Sequence, residues 1–263
     1  MGDDQLKAQA GSHEWLYIHI NSTQDYVMSY GIEFKEFYFA LSERVDHLLL
    51  LKHQYEDSSF NMHTYLEYVE RDEIKNLVKD DVSSYGDFCW IDFEDEAGLN
   101  EMTGQEIAEI LYLSHMKHHL RMPFYRKLNN RFVYLSTEDG RMNRTYYREW
   151  EDFFHMMGVS LPLKWSAHRS GKGLIIWKKE KALPPIPKKV IMSISQLMKE
   201  GVIISLQHAS NAKGKVEIPV WVVGDYGNMD DLQEDFKAKV KKEPAAWFIF
   251  DRKLKEWNAT LLR

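Results

Sequence analysis

The sequence predicts an α/β fold, with a mixed sheet that contains hairpins and is covered by helices. Segments rich in β-branched and aromatic residues recur along the chain, and segments with helical spacing separate many of them. Hairpin signals interrupt this alternation, which favours a mixed sheet over an all-parallel one. The 263 residues are 44% hydrophobic and 13% aromatic, enough for one large core or two modest ones.

Nine segments have the alternation typical of strands. They are 15–20, 45–53, 88–93, 131–136, 141–147, 174–178, 202–207, 216–223 and 247–250. Two hairpins are predicted, one over 131–147 turning at Asp139-Gly140 and one over 202–223 turning through 211–214. Pro219 indicates an edge strand or a strand start in the second hairpin.

Helical spacing predicts helices between these strands, at 24–44, 71–79, 103–121, 150–157, 189–200 and 229–240. The third has the clearest start, because Thr103 and Glu106 have the spacing of a capping box. The last is expected on the surface, since its apolar residues form one stripe and lysines gather at its C-terminal end.

Charge is divided between two blocks of opposite sign. Residues 1–110 hold 24 acidic and 7 basic side chains, whereas residues 111–189 hold 16 basic and 6 acidic ones. This segregation indicates either lobes that attract each other or a basic face for an anionic partner. The Pro- and Lys-rich stretch 178–189 predicts a connector between an N-terminal α/β lobe at 13–177 and a smaller one at 190–263. A surface loop in a single domain is the alternative.

The sequence also bears on the compartment. It has no run of 18 apolar residues, and the first residues are polar and acidic. The one cysteine, Cys89, lies in an apolar run and is expected to be a buried small hydrophobe. We therefore expect a cytoplasmic protein that does not insert into a membrane.

Three histidines near the end of the 103–121 helix form a candidate metal site. His115 and His119 have the i, i+4 spacing that lets two imidazoles hold one ion, His118 lies on the same side, and Asp92 can supply a carboxylate. This pattern suggests a hydrolase with a divalent metal ion as its cofactor. The pattern lacks the glutamate of HExxH, and we prefer the explanation that His118 is a core histidine and that His115 and His119 are surface residues.

A basic and aromatic hairpin at 124–150 is a candidate surface for single-stranded nucleic acid. Its candidate contacts are Arg131, Arg144, Tyr146 and Arg148, since arginines neutralise phosphates and rings stack on bases. The net charge of −6 argues against broad polyanion affinity. We therefore prefer the interpretation that the arginines of this hairpin form ion pairs with the acidic first lobe instead of binding nucleic acid.

Two loops are candidate anion sites. The loop 166–173 carries Arg169 and Lys172, but it does not fit the Walker pattern. Ser22 and Thr23 follow the first predicted strand, at a predicted helix start where backbone amides can bind an anion. A simple helix cap is the alternative for this pair.

Taken together, these features favour a non-enzymatic binding or interaction protein, because no catalytic set is complete. A protein partner or self-association is expected rather than nucleic acid. The metal-dependent hydrolase and the single-stranded nucleic-acid binder are the two alternatives.

Overall fold

The computed structural model describes residues 14–79, 86–137, 140, 142–171 and 183–262. Its contacts divide the chain into two compact units. Unit 1 combines the chain up to Ile32 with the chain from Phe153 onward, and unit 2 is Glu33–Asp152. This division differs from the predicted one, because the first strand of the chain pairs with a strand near residue 203. The predicted connector 178–189 falls in unit 1, and its residues 178–182 lie outside the described residues.

The described strands and helices occur in the following order. The strands are β1 Trp15–Asn21, β2 Tyr26–Tyr30, β3 His47–Leu51, β4 Ser59–Asn61, β5 Leu66–Glu70, β6 Phe88–Phe93, β7 Phe132–Thr137, β8 Met142–Tyr147, β9 Val202–Ser205, β10 Ser210–Ala212, β11 Lys215–Val222, β12 Ala246–Asp251 and β13 Glu256–Leu261. The helices are α1 Phe34–Leu41, a 3-10 turn at Ser42–Arg44, α2 Arg71–Leu77, α3 Glu96–Asn100, α4 Gly104–Ser114, α5 Trp150–Gly171, α6 Lys188–Met192, α7 Ser195–Lys199 and α8 Met229–Lys239.

Unit 1 contains an antiparallel sheet in the order β13-β12-β11-β9-β1-β2, with β10 paired to β11. Helix α7 packs on β1, and α6 packs on β13. Phe236 of α8 lies against the rings of Trp15 and Trp221, with centroids 6.0 and 5.8 Å away. The predicted surface helix at the C-terminal side is thus present, and its apolar stripe is buried on the sheet.

Unit 2 contains antiparallel strands in the order β8-β7-β6-β3-β5-β4. Its core is aromatic: the buried ring of Phe34 in α1 makes edge contacts with Trp90 and Tyr134, at 4.4 and 5.1 Å between centroids. The predicted class, a sheet with hairpins and covering helices, is therefore confirmed. The described pairings are antiparallel in both units, and hairpins join β1–β2, β4–β5, β7–β8, β10–β11 and β12–β13.

The prediction of a helix at 24–44 is wrong for residues 24–33, which include β2. Asn21 Oδ1 accepts the backbone N–H groups of Thr23 and Gln24, and Asp25 has φ 53°, so the chain turns back into β2. Helix α1 begins only at Phe34, after a capping box formed by Glu33 and Glu36.

Pro219 lies in a strand at a position where its missing N–H costs no hydrogen bond between strands. Pro219 was predicted at an edge, but β11 is an inner strand. On one side Pro219 faces Trp247, while β10 pairs only with residues 215–217 and β9 only from Val220 onward. Pro219 therefore occupies the gap between β10 and β9, where no strand requires its N–H.

Helix α5 contains a proline, Pro162, whose missing N–H leaves a backbone carbonyl of the helix without its usual donor. Pro162 cannot donate to Gly158 O, and this carbonyl accepts the N–H of Ile186 instead, at 2.8 Å. A Cβ on Gly158 would lie 2.3 Å from Ile186 O, so only glycine permits this approach.

The Asp92 carboxylate at the end of β6 satisfies the backbone where β7 begins. Its Oδ1 accepts the N–H groups of Arg131 and Phe132 at 2.9 and 2.8 Å, and Oδ2 also accepts from Arg131 at 3.0 Å. Burial raises the pKa of Asp92 to about 7, against the lowering effect of these amides.

We expect the substitution Asp92→Asn to remove a pH dependence of stability. The native pKa exceeds the unfolded one, so the native state binds an extra proton between about pH 4 and 7. The resulting stabilisation is complete below pH 4 and is lost as the pH rises through 7. Urea unfolding at several pH values should show wild type losing roughly 2–4 kcal/mol relative to Asp92→Asn over this range. Parallel curves for the two proteins would contradict the assignment.

Alanine at Gly158 should destabilise the protein although alanine is the better helix former. The added Cβ must displace Ile186 O, and we expect a loss of about 1–3 kcal/mol in the free energy of unfolding. Gly104, the first residue of α4, is the matched control because its Cβ would meet no atom within 4 Å. Gly104→Ala should be neutral or stabilising by up to about 1 kcal/mol. Equal effects of both substitutions in chemical unfolding would refute the steric explanation.

Candidate functional site

The three histidines of the predicted metal site do not share a helix. Helix α4 ends at Ser114, whose hydroxyl donates to Leu111 O, and Met116 has φ 59°, so the chain leaves the helical path before His118. The prediction of a 103–121 helix is therefore wrong at its C-terminal end. His115 and His118 are exposed, and the ring of His119 lies edge-on to Tyr146 with centroids 5.1 Å apart.

Asp92, the predicted carboxylate ligand, is buried and bonded to the amides of β7 as described above. Within the described ranges, no group of three or more histidine, cysteine, aspartate or glutamate side chains is placed to hold a metal ion. The geometry therefore gives no support to a metal-dependent hydrolase.

The predicted nucleic-acid hairpin is present as β7 and β8, but its side chains are engaged within unit 2. Arg131 donates to Asp152 through Nε and Nη2, at 3.1 and 2.8 Å, and Arg44 contacts the same carboxylate. Arg148 donates to Asn129 and lies over the Phe124 ring. Arg144 is half-buried in β8, and Tyr146 is fully buried, so this ring has no face open to a base.

The two predicted anion sites also have different settings from those expected. Ser22 and Thr23 lie in the turn between β1 and β2, so the helix N-terminus that would bind an anion is absent there. Residues 166–171 belong to α5 rather than to a loop, and Arg169 lies over the Trp165 ring at 5.7 Å. Lys172 lies outside the described residues.

A surface that the sequence did not reveal stands out in unit 2, at the hairpin of β4 and β5. Phe60, Met62 and Tyr65 are 50%, 75% and 74% exposed, and the rings of Phe60 and Tyr65 are 6.2 Å apart. Strand β4 is the outermost described strand of this sheet. We call the surface formed by these three side chains the hairpin patch.

A buried asparagine fixes the turn that carries the hairpin patch. Asn61 Oδ1 accepts the backbone N–H groups of His63 and Thr64 and the Thr64 hydroxyl, and its Nδ2 donates to Asn100 at 2.9 Å and to Glu96 at 3.3 Å. Tyr65, with φ 57°, donates its N–H to Asn61 O. The exposed rings are therefore held outward by a bonded turn rather than by a loose loop.

A second bond joins the turn to the chain after α3. His63 Nε2 lies 2.8 Å from Met102 O, and because a carbonyl can only accept, this nitrogen carries the proton. The turn is thus bonded both to Asn100 in α3 and to Met102, two residues after the end of α3.

Carboxylates border the hairpin patch. Glu67 is the cross-strand neighbour of Phe60, Glu96 bonds to Asn61, and Glu56 and Asp57 are exposed just before β4. The ion pairs found in the described part of the chain involve none of these four. Burial, and after it the charge of Glu96, raise the pKa of the Tyr68 hydroxyl.

The hairpin patch was missed because β4 is only three residues long and the run FNMHTY has little strand alternation. The available signal was the density of large apolar residues beside asparagine and threonine, which favour turns. Sequence alone does not tell whether such rings are core or surface.

No protein-family model, curated protein or solved structure matches the chain. None of the described helices is long and apolar enough to cross a membrane.

Proposed function

We propose that this chain is a non-enzymatic interaction protein, and that the hairpin patch binds a partner segment carrying apolar side chains between lysines or arginines. The observation that carries the proposal is the exposure of Phe60, Met62 and Tyr65 together on one fixed turn. Scattered exposed apolar residues are ordinary on protein surfaces, whereas a contiguous group supports an interaction site.

The residue types suit a binding surface. Aromatic and methionine side chains are enriched in interfaces, and a thioether adapts to differently shaped partners. Because the bonds of Asn61 hold the backbone of the turn, binding does not have to order that backbone, so more of the burial energy contributes to affinity.

The charges define the partner. An acidic partner would bring its carboxylates against Glu67 and Glu96, and like charges in an interface oppose binding. A segment with lysine or arginine on both sides of its apolar residues would instead find an opposite charge at the rim of the hairpin patch. Charges at an interface rim mainly affect association rate and specificity, and the apolar contacts mainly provide the affinity.

The experiment uses a fluorescent peptide in which leucine and phenylalanine alternate with lysine, titrated with the full chain and followed by polarisation. We expect binding that weakens with added salt, and at least about tenfold weaker binding to the double variant Phe60→Ser, Tyr65→Ser. The matched control is Phe39→Ser, because Phe39 is 64% exposed on α1, outside the hairpin patch. This control should bind like wild type.

A companion peptide with glutamate in place of lysine should not bind. Thermal unfolding of each variant establishes that it folds. Equal affinity for the two peptides, equal loss in Phe39→Ser, or unchanged affinity in the folded double variant would overturn the proposal.

A further inference from the structure

Strand β13 is the outermost described strand of the sheet in unit 1. Strand β13 has six residues, EWNATL, and among the described residues no strand follows it in the sheet. Proteins usually protect such edges with proline, lysine, a bulge or a very short strand, and β13 has none of these within its bounds. This surface is separate from the hairpin patch, which lies in unit 2.

The hydrogen bonds of β13 show which backbone groups face outward. Leu262 donates its N–H to Ala245 O at 2.8 Å, in register with the pairing of Leu261 and Ala246. Backbone groups alternate in direction along a strand, so the amides and carbonyls of Trp257, Ala259 and Leu261 face away from β12. These three residues present three donors and three acceptors at the edge.

We infer that β13 pairs antiparallel with β13 of a second copy of this chain, centred on Ala259. In this register Ala259 meets its own equivalent and Trp257 meets Leu261 of the second copy. All three outward amides and all three outward carbonyls of each copy then find partners. Shifting the register by two residues leaves outward groups at the strand ends without a partner in the other strand.

The side chains are self-complementary in the same register. Asn258 is opposite Thr260 of the second copy, two exposed polar side chains of hydrogen-bonding type. Glu256 is opposite Leu262, so no two like charges within β13 face each other directly. Leu261, 43% exposed, gains the ring of Trp257 as its cross-strand neighbour.

We infer a second copy of this chain rather than an unrelated segment, because in this pairing the outward amides and carbonyls of β13 are the partners of the same groups in the other copy. A free extended peptide would also pay the entropy of becoming ordered, whereas β13 is already held by β12 and by the bond from Trp257 Nε1 to Pro184 O.

Substitutions that place like charges opposite each other across the two-fold axis test the inferred dimer. Asn258→Lys with Thr260→Lys places lysines opposite each other twice, and Asn258→Glu with Thr260→Glu does the same with carboxylates. Sedimentation analysis should show that wild type dimerises with increasing concentration. Each variant alone should dimerise at least about tenfold more weakly, and an equimolar mixture should recover the dimer.

The control carries two new lysines on an exposed face of the same unit, Gln233→Lys with Ala238→Lys in α8, and should dimerise like wild type. Circular dichroism and thermal unfolding establish that all variants fold. A wild-type chain that stays monomeric to millimolar concentration would overturn the inference. So would a dimer that persists in both like-charge variants, or folded variants whose mixture does not recover it.

Discussion

Every backbone amide and carbonyl that leaves water needs a hydrogen-bond partner, and this requirement explains the main features of both units. Inside the sheets the neighbouring strands meet it. Elsewhere a side chain or a distant segment provides the partner: the Asp92 carboxylate accepts the amides at the start of β7, and Ile186 donates to the Gly158 carbonyl that Pro162 cannot bond in α5. At β13, the groups that face away from β12 depend on water or on another chain. The inferred dimer is the case in which a second copy meets the requirement.

Local chemistry made part of the fold predictable. The capping box of Thr103 and Glu106 marked the start of α4 correctly, and the β7–β8 hairpin was recognisable from its strand composition and Gly140. Other features depended on single turns or on pairing between distant segments. The bonds from Asn21 to the next residues convert a predicted helix into β2, and the pairing of β1 with β9 joins residues nearly 190 positions apart. Periodicity in a short window contains neither kind of information.

The candidate sites show the same division. The spacing of His115 and His119 predicts a shared helix face, but this prediction is wrong because the helix ends at Ser114, before the turn at Met116. Alternation placed Tyr146 in a strand, but only tertiary packing decides that its ring is buried. The exposure of Phe60, Met62 and Tyr65 depends on the bonds of Asn61 with α3, and α3 lies more than 30 residues further along the chain. Charge counting identified an acidic first half, and the structure places two of its carboxylates at the hairpin patch, with Glu67 opposite Phe60 and Glu96 bonded to Asn61.

We infer that β13 in unit 1 and the hairpin patch in unit 2 are the surfaces through which this chain meets other chains. Both surfaces can be followed by hydrogen–deuterium exchange along the full chain, measured at low and high protein concentration and again with the lysine-containing peptide. Higher protein concentration should slow exchange within 256–262, and the peptide should slow exchange within 58–67, with little change elsewhere. Exchange in these two segments that responds to neither condition, or protection confined to other strands, would contradict it.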